Sequence, residues 1–376
     1  MAGIYIHIPY CKQACHYCDF HFSTSSANVT ELIAALRSEI VLRKEYLGSA
    51  KIETIYFGGG TPSILKIDDL LRIFDTIYSN FDVDPNAEIT VEANPDDLTL
   101  SYLKQLRHTS VNRLSIGIQS FRNEDLKMMN RAHDAKQALR CVPESADLGF
   151  ERLSVDLIYG IPGLGLEGWK QNLKTALDLP VNHLSSYCLT VEANTVLHYQ
   201  VAKGTAPNVN DEEAAAQFEW LHEYSEEMGF PWYEISNLSK PGCESKHNSN
   251  YWNGIPYLGI GPSAHSFDGT TRQWNIRNNP QYIISINQKK ILSTIETLSS
   301  NEQFNEFIMT GLRLRRGISS EKIIRKFGDD SWNHIVSGMQ KYIDKDMATI
   351  NRDKSITLTT KGLLFTDSIV SSLLKI

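Results

Sequence analysis

Long apolar runs are missing from this sequence. No stretch reaches the ~18 uninterrupted apolar residues that a membrane-crossing helix requires, so a helical membrane protein is excluded. Cysteine is scarce, with six in 376 residues, which rules out a disulfide-stapled scaffold. Glycine and proline number 23 and 13, together about a tenth of the chain, which excludes collagen-like and low-complexity classes. Positive charge is short as well: 37 Lys and Arg against 44 Asp and Glu leave a net charge of −7. No global basic field exists to draw in nucleic acid, and none is expected as a partner. Met1–Tyr10 has neither a basic start nor a long apolar run, so no signal peptide and a cytoplasmic location are expected.

What is present is ordinary globular material, 41% hydrophobic and 22% charged, which excludes disorder as the main state. The length suits one large domain and a smaller one. Short β-rich runs alternate with longer helical patterns. The runs are Gly3–Ile8, Thr54–Phe57, Ile89–Ala93, Arg113–Ile118, Leu153–Ile158 and Leu184–Leu189. Between them apolar residues recur every three or four positions, as in Leu32, Ile33, Leu36, Ile40 and in Leu70, Leu71, Phe74, Ile77, Tyr78. Thr30 and Asp68 are the expected N-caps, and Gly165–Leu179 and Asp211–Met228 the expected later helices. Six strands alternating with helices predict a parallel α/β sheet, either a partial (three-quarter) (β/α)6 TIM-like barrel or a doubly wound open sheet. In both, chemistry gathers beyond the C-terminal ends of the strands. From about Gly229 the chain becomes rich in Asn, Gly, Pro and aromatics, and a helical pattern and a short β pair follow. Residues 1–229 are expected to form the barrel and 230–376 a smaller α+β C-terminal region.

Cys11, Cys15 and Cys18 stand in Cys11-Lys12-Gln13-Ala14-Cys15-His16-Tyr17-Cys18. A C-x₃-C-x₂-C loop after the first strand offers three soft thiolates, suited to an iron–sulfur cluster or to zinc. On a four-iron cluster three thiolates leave one iron open to a small molecule. On zinc, His7, His16 or His21 would have to supply the fourth ligand. Cys141, Cys188 and Cys243 read as buried structural thiols. Phe57-Gly58-Gly59-Gly60-Thr61-Pro62 follows the second strand, and Glu92, Gln119 and Asp156 lie at or near the ends of the third, fourth and fifth. Convergent polar groups of this kind can hold hydroxyls and an amino-acid moiety, and Arg131 could add a cation for a carboxylate.

The cysteine spacing, with an aromatic before the last cysteine, resembles the radical S-adenosylmethionine (SAM) superfamily. That resemblance implies a [4Fe-4S] cluster whose open iron chelates SAM and whose electron cleaves the sulfonium to a 5′-deoxyadenosyl radical. Tyr5, the Gly-Gly-Gly-Thr-Pro, Gly117-Ile118-Gln119-Ser120-Phe121 and Asp156-Leu157-Ile158-Tyr159-Gly160-Ile161-Pro162 are similar to oxygen-independent coproporphyrinogen III dehydrogenase and its relatives. Carried over residue by residue, Tyr5, Tyr17, Gly60, Thr61, Glu92, Gln119, Arg131 and Asp156 would contact SAM. Two departures count against porphyrinogen decarboxylation: Phe20 stands where that enzyme has a further cysteine, and its N-terminal extension is missing ahead of the motif. His247-Asn248-Ser249-Asn250-Tyr251-Trp252 instead resembles the signature of the haem chaperone (HemW-type) subgroup. The resemblance implies haem as cargo, with His247 offered to the iron, Tyr251 and Trp252 against the porphyrin face, and His265 as a further candidate ligand. It also implies a haem-acceptor protein as partner, a respiratory one being the natural candidate, with peripheral membrane contact through that acceptor. The rival readings are a radical SAM enzyme acting on a porphyrin-like substrate and a zinc-dependent interaction protein.

Overall fold

The computed structural model of the protein describes residues 1–375. Six parallel strands lie in chain order: β1 (Ala2–Ile8), β2 (Ile52–Gly59), β3 (Val83–Ala93), β4 (Arg113–Gln119), β5 (Arg152–Tyr159) and β6 (His183–Cys188). Their alternation sets which face each residue takes. Ile4, Ile6 and Ile8 of β1 are fully buried in the apolar core. The intervening Tyr5 stacks on Tyr56 of β2, which in turn donates to Glu92 of β3. The inner surface is therefore polar, and the apolar layer lies between strands and helices, as a two-period pattern in a curved sheet requires.

Helices connect the strands: α1 (Val29–Leu42), α2 (Ile67–Asn80), α3 (Leu100–Leu106), α4 (Asn123–Met128), α5 (Ala135–Asp147), α6 (Gly165–Asp178), α7 (Val196–Ala202) and α8 (Asp211–Glu227). The periodicity locates α1, α2, α6 and α8 well, but their first residues differ from expectation. Asn28 and Lys66 occupy the cap positions of α1 and α2, and neither side chain caps. Thr30 and Asp68 lie inside the first turn, where Asp68 still complements the helix dipole. Leu71 and Tyr78 face outward, at 39% and 44% exposure, because they lie at the edge of an apolar stripe formed by Leu70, Ile73, Phe74 and Ile77.

Beyond α8 the chain adds strands to both edges of the same sheet. β7 (Trp232–Glu234) and β8 (Asn237–Ser239) extend the β6 edge antiparallel, with His183 opposite Ser239. The helix α9 (Lys246–Trp252) then crosses to the other edge, where β9 (Tyr257–Ile260) pairs parallel to β1. β10 (His265–Phe267), β11 (Thr271–Asn275) and β12 (Ser293–Thr297) follow antiparallel. The helices α10 (Asn279–Asn287), α11 (Ser300–Gly311), α12 (Ser320–Phe327) and α13 (Asp329–Ile343), a separate three-stranded sheet and the short helices α14 (Thr360–Leu363) and α15 (Thr366–Ser371) complete the described residues. That sheet includes the hairpin Ala348–Ile350/Ser355–Leu358 expected near the C-terminus. Among the described residues no helix is long and apolar enough to cross a membrane.

Candidate functional site

The loop that follows β1 is pinned at its base by Cys11 N–H to Ser23 C=O and by Ser23 N–H to Pro9 C=O. Its far side is clamped by the turn after α4. His16 N–H donates to Met129 C=O at 3.1 Å, and the Asn130 side-chain amide donates to Ala14 C=O at 2.7 Å. Asn130 is left-handed, φ 55°, a conformation a short amide side chain tolerates. Leu197 at the start of α7 donates to His16 C=O from the other flank. Three backbone segments thus fix one short loop.

On that loop the three cysteines are free thiols, each part-buried. A chain of polar contacts joins two of them. Thr61 Oγ1 donates to Cys11 Sγ at 3.4 Å, Asn94 Nδ2 donates to Thr61 Oγ1 at 3.2 Å, and the Arg131 guanidinium donates to Asn94 Oδ1 at 2.6 Å and to Cys15 Sγ at 3.2 Å. Tyr17 lies beside the same guanidinium. Burial pushes the Cys11 thiol up and the Cys18 thiol up to about 11, so metal or a cluster must displace protons here. Arg131 Nε is buried with no partner, a cationic donor still available to an anion. Among the described residues no group of three His, Cys, Asp or Glu side chains is placed to hold a single metal ion. Of the histidines considered for zinc, His7 is shared between Tyr5 OH and His21 C=O, and His16 contacts Met128 C=O. The donor set, three soft thiols with an unsatisfied guanidinium beside them, fits an anionic iron–sulfur cluster better than zinc.

Strand ends build the rest of the mouth. Gly59 has φ 106°, and a Cβ there would stand 2.4 Å from the His7 ring. Its amide donates to Glu92 Oε2 at 3.2 Å, while Tyr56 OH donates to Glu92 Oε1 at 2.8 Å. A Cβ on Gly58 would meet that carboxylate at 2.8 Å, so the glycines let Glu92 lie flat against β2. Burial first, and the neighbouring Asp156 as well, push Glu92 up to about 7 against the pull of Tyr56 and Gly59. Asp156 itself is pushed to about 6 by burial, in spite of hydrogen bonds from Ser185 and Ser115. Gln119 ends β4 at φ 67°, a strained conformation of the sort that accumulates at ligand sites. The space above Gly117 receives its Nε2 and the Arg131 guanidinium. Buried carboxyls held this high are poised to ionise against a cationic ligand, and SAM carries an ammonium and a sulfonium.

The strand-end residues therefore converge: Thr61, Arg131 and Tyr17 stand at the cysteine loop, with Gly60 beside Thr61 and Gln119 near Arg131, and Tyr5 and Asp156 stand by Glu92 on the inner face. Tyr56 and Asn94, which sequence reasoning did not single out, hold Glu92 and join Thr61 to Arg131. Tyr187 at the end of β6, 47% exposed, also stands near Asp156 and Glu92. Alternation along β2 and β6 places both tyrosines inside, the one signal that could have found them. Of the three thiols expected to be buried only Cys141 is; Cys243 is part-buried, and Cys188 is exposed because β6 ends there at the rim. Phe20 closes the cysteine loop at 69% exposure.

His247 lies elsewhere, on α9 at the opposite, N-terminal end of the strands. It is 2% exposed. Its Nδ1 meets Thr54 Oγ1 at 2.8 Å and its Nε2 meets Tyr251 OH at 2.9 Å. Its ring stacks on Tyr56 at 4.9 Å, and its backbone N–H donates to Glu88. Burial pushes the imidazole down to about 3. Both nitrogens are taken, so in this arrangement His247 builds the floor of the barrel and presents no open ligand position. Tyr251 and Trp252 are part-buried beside it. His265 lies on β10, stacked on Trp274.

Known proteins resemble this chain in sequence and in fold. The family model for the radical SAM superfamily matches residues 5–176, and that for the HemN C-terminal domain matches residues 298–365. The heme chaperone HemW of Bacillus subtilis is 34% identical over all of this chain and 99% of its own length. The heme chaperone HemW of Escherichia coli is 33% identical, covering 83% of this chain and 82% of its own. Among solved structures, the coproporphyrinogen III oxidase HemN of Escherichia coli superposes with a TM-score of 0.86 at 20% identity, covering 100% of this chain and 90% of that one. At that identity the likeness speaks for the fold, a partial radical SAM barrel.

Proposed function

The chain belongs to the HemW family within the radical SAM superfamily, and from that premise we propose that it is a haem chaperone, which binds haem and delivers it to an acceptor protein. Membership brings a [4Fe-4S] cluster and SAM. Cys11, Cys15 and Cys18 hold the cluster, and the mouth built by Tyr5, Tyr17, Gly60, Thr61, Glu92, Gln119, Arg131 and Asp156 holds SAM. When bound, the cluster supplies the electron that cleaves a sulfonium. Arg131 and Asn94 position the loop, and Glu92 and Asp156 balance the cofactor's positive charges. The observation that carries the reading is the convergence of three free thiols and these polar groups on one mouth.

Residues 1–229 are the cofactor-holding part and 230–376 the part that meets cargo and acceptor. The acceptor is a cytoplasm-facing haem protein, a respiratory one by preference, and any membrane contact is made through it. Coproporphyrinogen dehydrogenation is not favoured, since relatives 30–34% identical over nearly the whole chain are heme chaperones, whereas the oxidase is similar in fold at 20%.

Anaerobic reconstitution followed by haem titration tests the proposal. Wild type should gain absorption near ~400 nm from iron and sulfide, lost on replacing any of the three cysteines by Ala. It should then bind haem saturably and convert no coproporphyrinogen III. Stoichiometric zinc without iron, or a vinyl product from coproporphyrinogen, would overturn it.

A further inference from the structure

The cysteine loop has a second clamp, and it comes from the region after the barrel. β9 runs parallel to β1 and β10 and β11 follow antiparallel, so the chain leaves β11 at the same end of the barrel as the cysteines. There the Arg277 guanidinium donates to Asp19 C=O, and His21 Nε2 donates to Asn279 Oδ1 at 2.7 Å. His7 holds the same turn from inside: its Nε2 donates to His21 C=O at 3.1 Å, and its Nδ1 accepts from Tyr5 OH. The clamp is firmly rooted. On one side of Arg277, Asn275 donates to Glu39 Oε1 at 2.7 Å and to Gly261 C=O at 2.9 Å; on the other, Tyr282 OH donates to Glu39 Oε2. Glu39 is fully buried on α1, so both flanks of Arg277 are fixed to one immobile carboxylate.

We infer that Arg277 is a positioning residue for the iron–sulfur cluster, which it reaches through one peptide unit. The inference rests on Cys11, Cys15 and Cys18 being the cluster ligands. The peptide between Asp19 and Phe20 offers its carbonyl to Arg277 and turns its N–H to the Cys18 sulfur. Each cysteine then has its own donor: Thr61 for Cys11, Arg131 for Cys15 and the Phe20 N–H for Cys18. A guanidinium on the carbonyl polarises that peptide and strengthens the bond at its N–H. Hydrogen bonds to the sulfurs and a nearby cation both favour the more negative, reduced state of a cluster, so both raise its reduction potential. The C-terminal region thus touches the cluster that the barrel holds.

Three measurements on the full chain, cluster-free and anaerobically reconstituted, test this. Arg277→Gln alters an exposed side chain, so the cluster-free melting temperature should move by no more than about 2 °C. The reconstituted variant should lose its cluster to a chelator about threefold faster or more, the equivalent of one hydrogen bond. A redox titration of its cluster absorption should give a more negative midpoint than wild type. Arg277→Lys, which can still donate to Asp19 C=O, should recover most of both effects. A midpoint and a stripping rate equal to wild type in Arg277→Gln would overturn the inference. So would a lowered cluster-free melting temperature with an unmoved midpoint, the mark of a purely structural contact. No iron–sulfur absorption in reconstituted wild type would overturn the ligand reading itself.

Discussion

At Glu92 two demands oppose each other. Burial beside Asp156 pushes the carboxyl up to about 7, while Tyr56 OH and Gly59 N–H pull it back. A group raised in the folded state above its unfolded value supports folding below the ordinary carboxyl range and loses that support as pH rises through about 7. A cationic ligand reverses the balance, because it favours the ionised form. SAM affinity should therefore rise between pH 6 and pH 8, with proton release visible by calorimetry in buffers of different ionisation enthalpy. Glu92→Gln should flatten this rise and weaken SAM about 10–100-fold, the equivalent of one or two charged hydrogen bonds. A pH-independent affinity in wild type would show that the carboxyl does not face the cofactor. Glu92, Gln119 and Asp156 were legible in sequence because each stands at or near the end of a β-rich run. Tyr56 and Asn94 were not. Their importance comes from partners 36 and 37 residues away, Glu92 and Arg131; alternation along β2 puts Tyr56 on the inner face, but nothing local names either residue's partner.

The elements show the same division between local and distant information. Strand alternation and helix periodicity report burial, which is a local average, so all six strands and the main helices were readable, five of the strands to within two residues at each end, while β3 begins six residues early in a stretch of exposed and half-buried residues. Cap positions depend on where the preceding loop lets the first turn begin, and both expected caps fell inside their helices. The cysteine loop is an element whose spacing was legible and whose support was not. Its clamp, Asn130 after α4, is 116 residues from Ala14. Asn130→Ala removes the bond to Ala14 C=O, strands the Gln13 amide and places a less tolerant residue at positive φ. Each lost bond costs about 1 kcal/mol and the strained backbone a comparable amount. The global melting temperature should fall by only a few degrees, whereas chelators should strip the reconstituted cluster markedly faster. Equal stripping rates would mean that the loop holds its shape without the clamp.

At the scale of the whole molecule, α9 is the piece that ties the region after the barrel to the barrel itself. It crosses the N-terminal ends of the strands, with Glu88 of β3 accepting from the Lys246 and His247 amides and ion-paired to Arg113 and Arg152. The His247 motif was conspicuous in sequence, yet its direction was not, since Thr54 is 193 residues away. Truncating His247 to Ala would leave Thr54 and Tyr251 hydroxyls without a partner and open a void between Tyr56 and Tyr251. Together these should cost about 2–4 kcal/mol of stability, read as a lower melting temperature of the cluster-free protein. The pH dependence supplies a second signature. Burial pushes His247 from 6.5 down to about 3, so the unfolded chain takes up a proton there that the folded chain refuses. Stability is then lost as pH falls from 6.5 towards about 3, at up to ~1.4 kcal/mol per pH unit for this one group. His247→Ala should melt lower at pH 7.5 and show a shallower acid slope, the difference growing towards one proton as pH falls from 6.5 to 5. An unchanged melting temperature with an unchanged acid slope would mean that the imidazole is not locked into the floor and is free to serve a ligand after all.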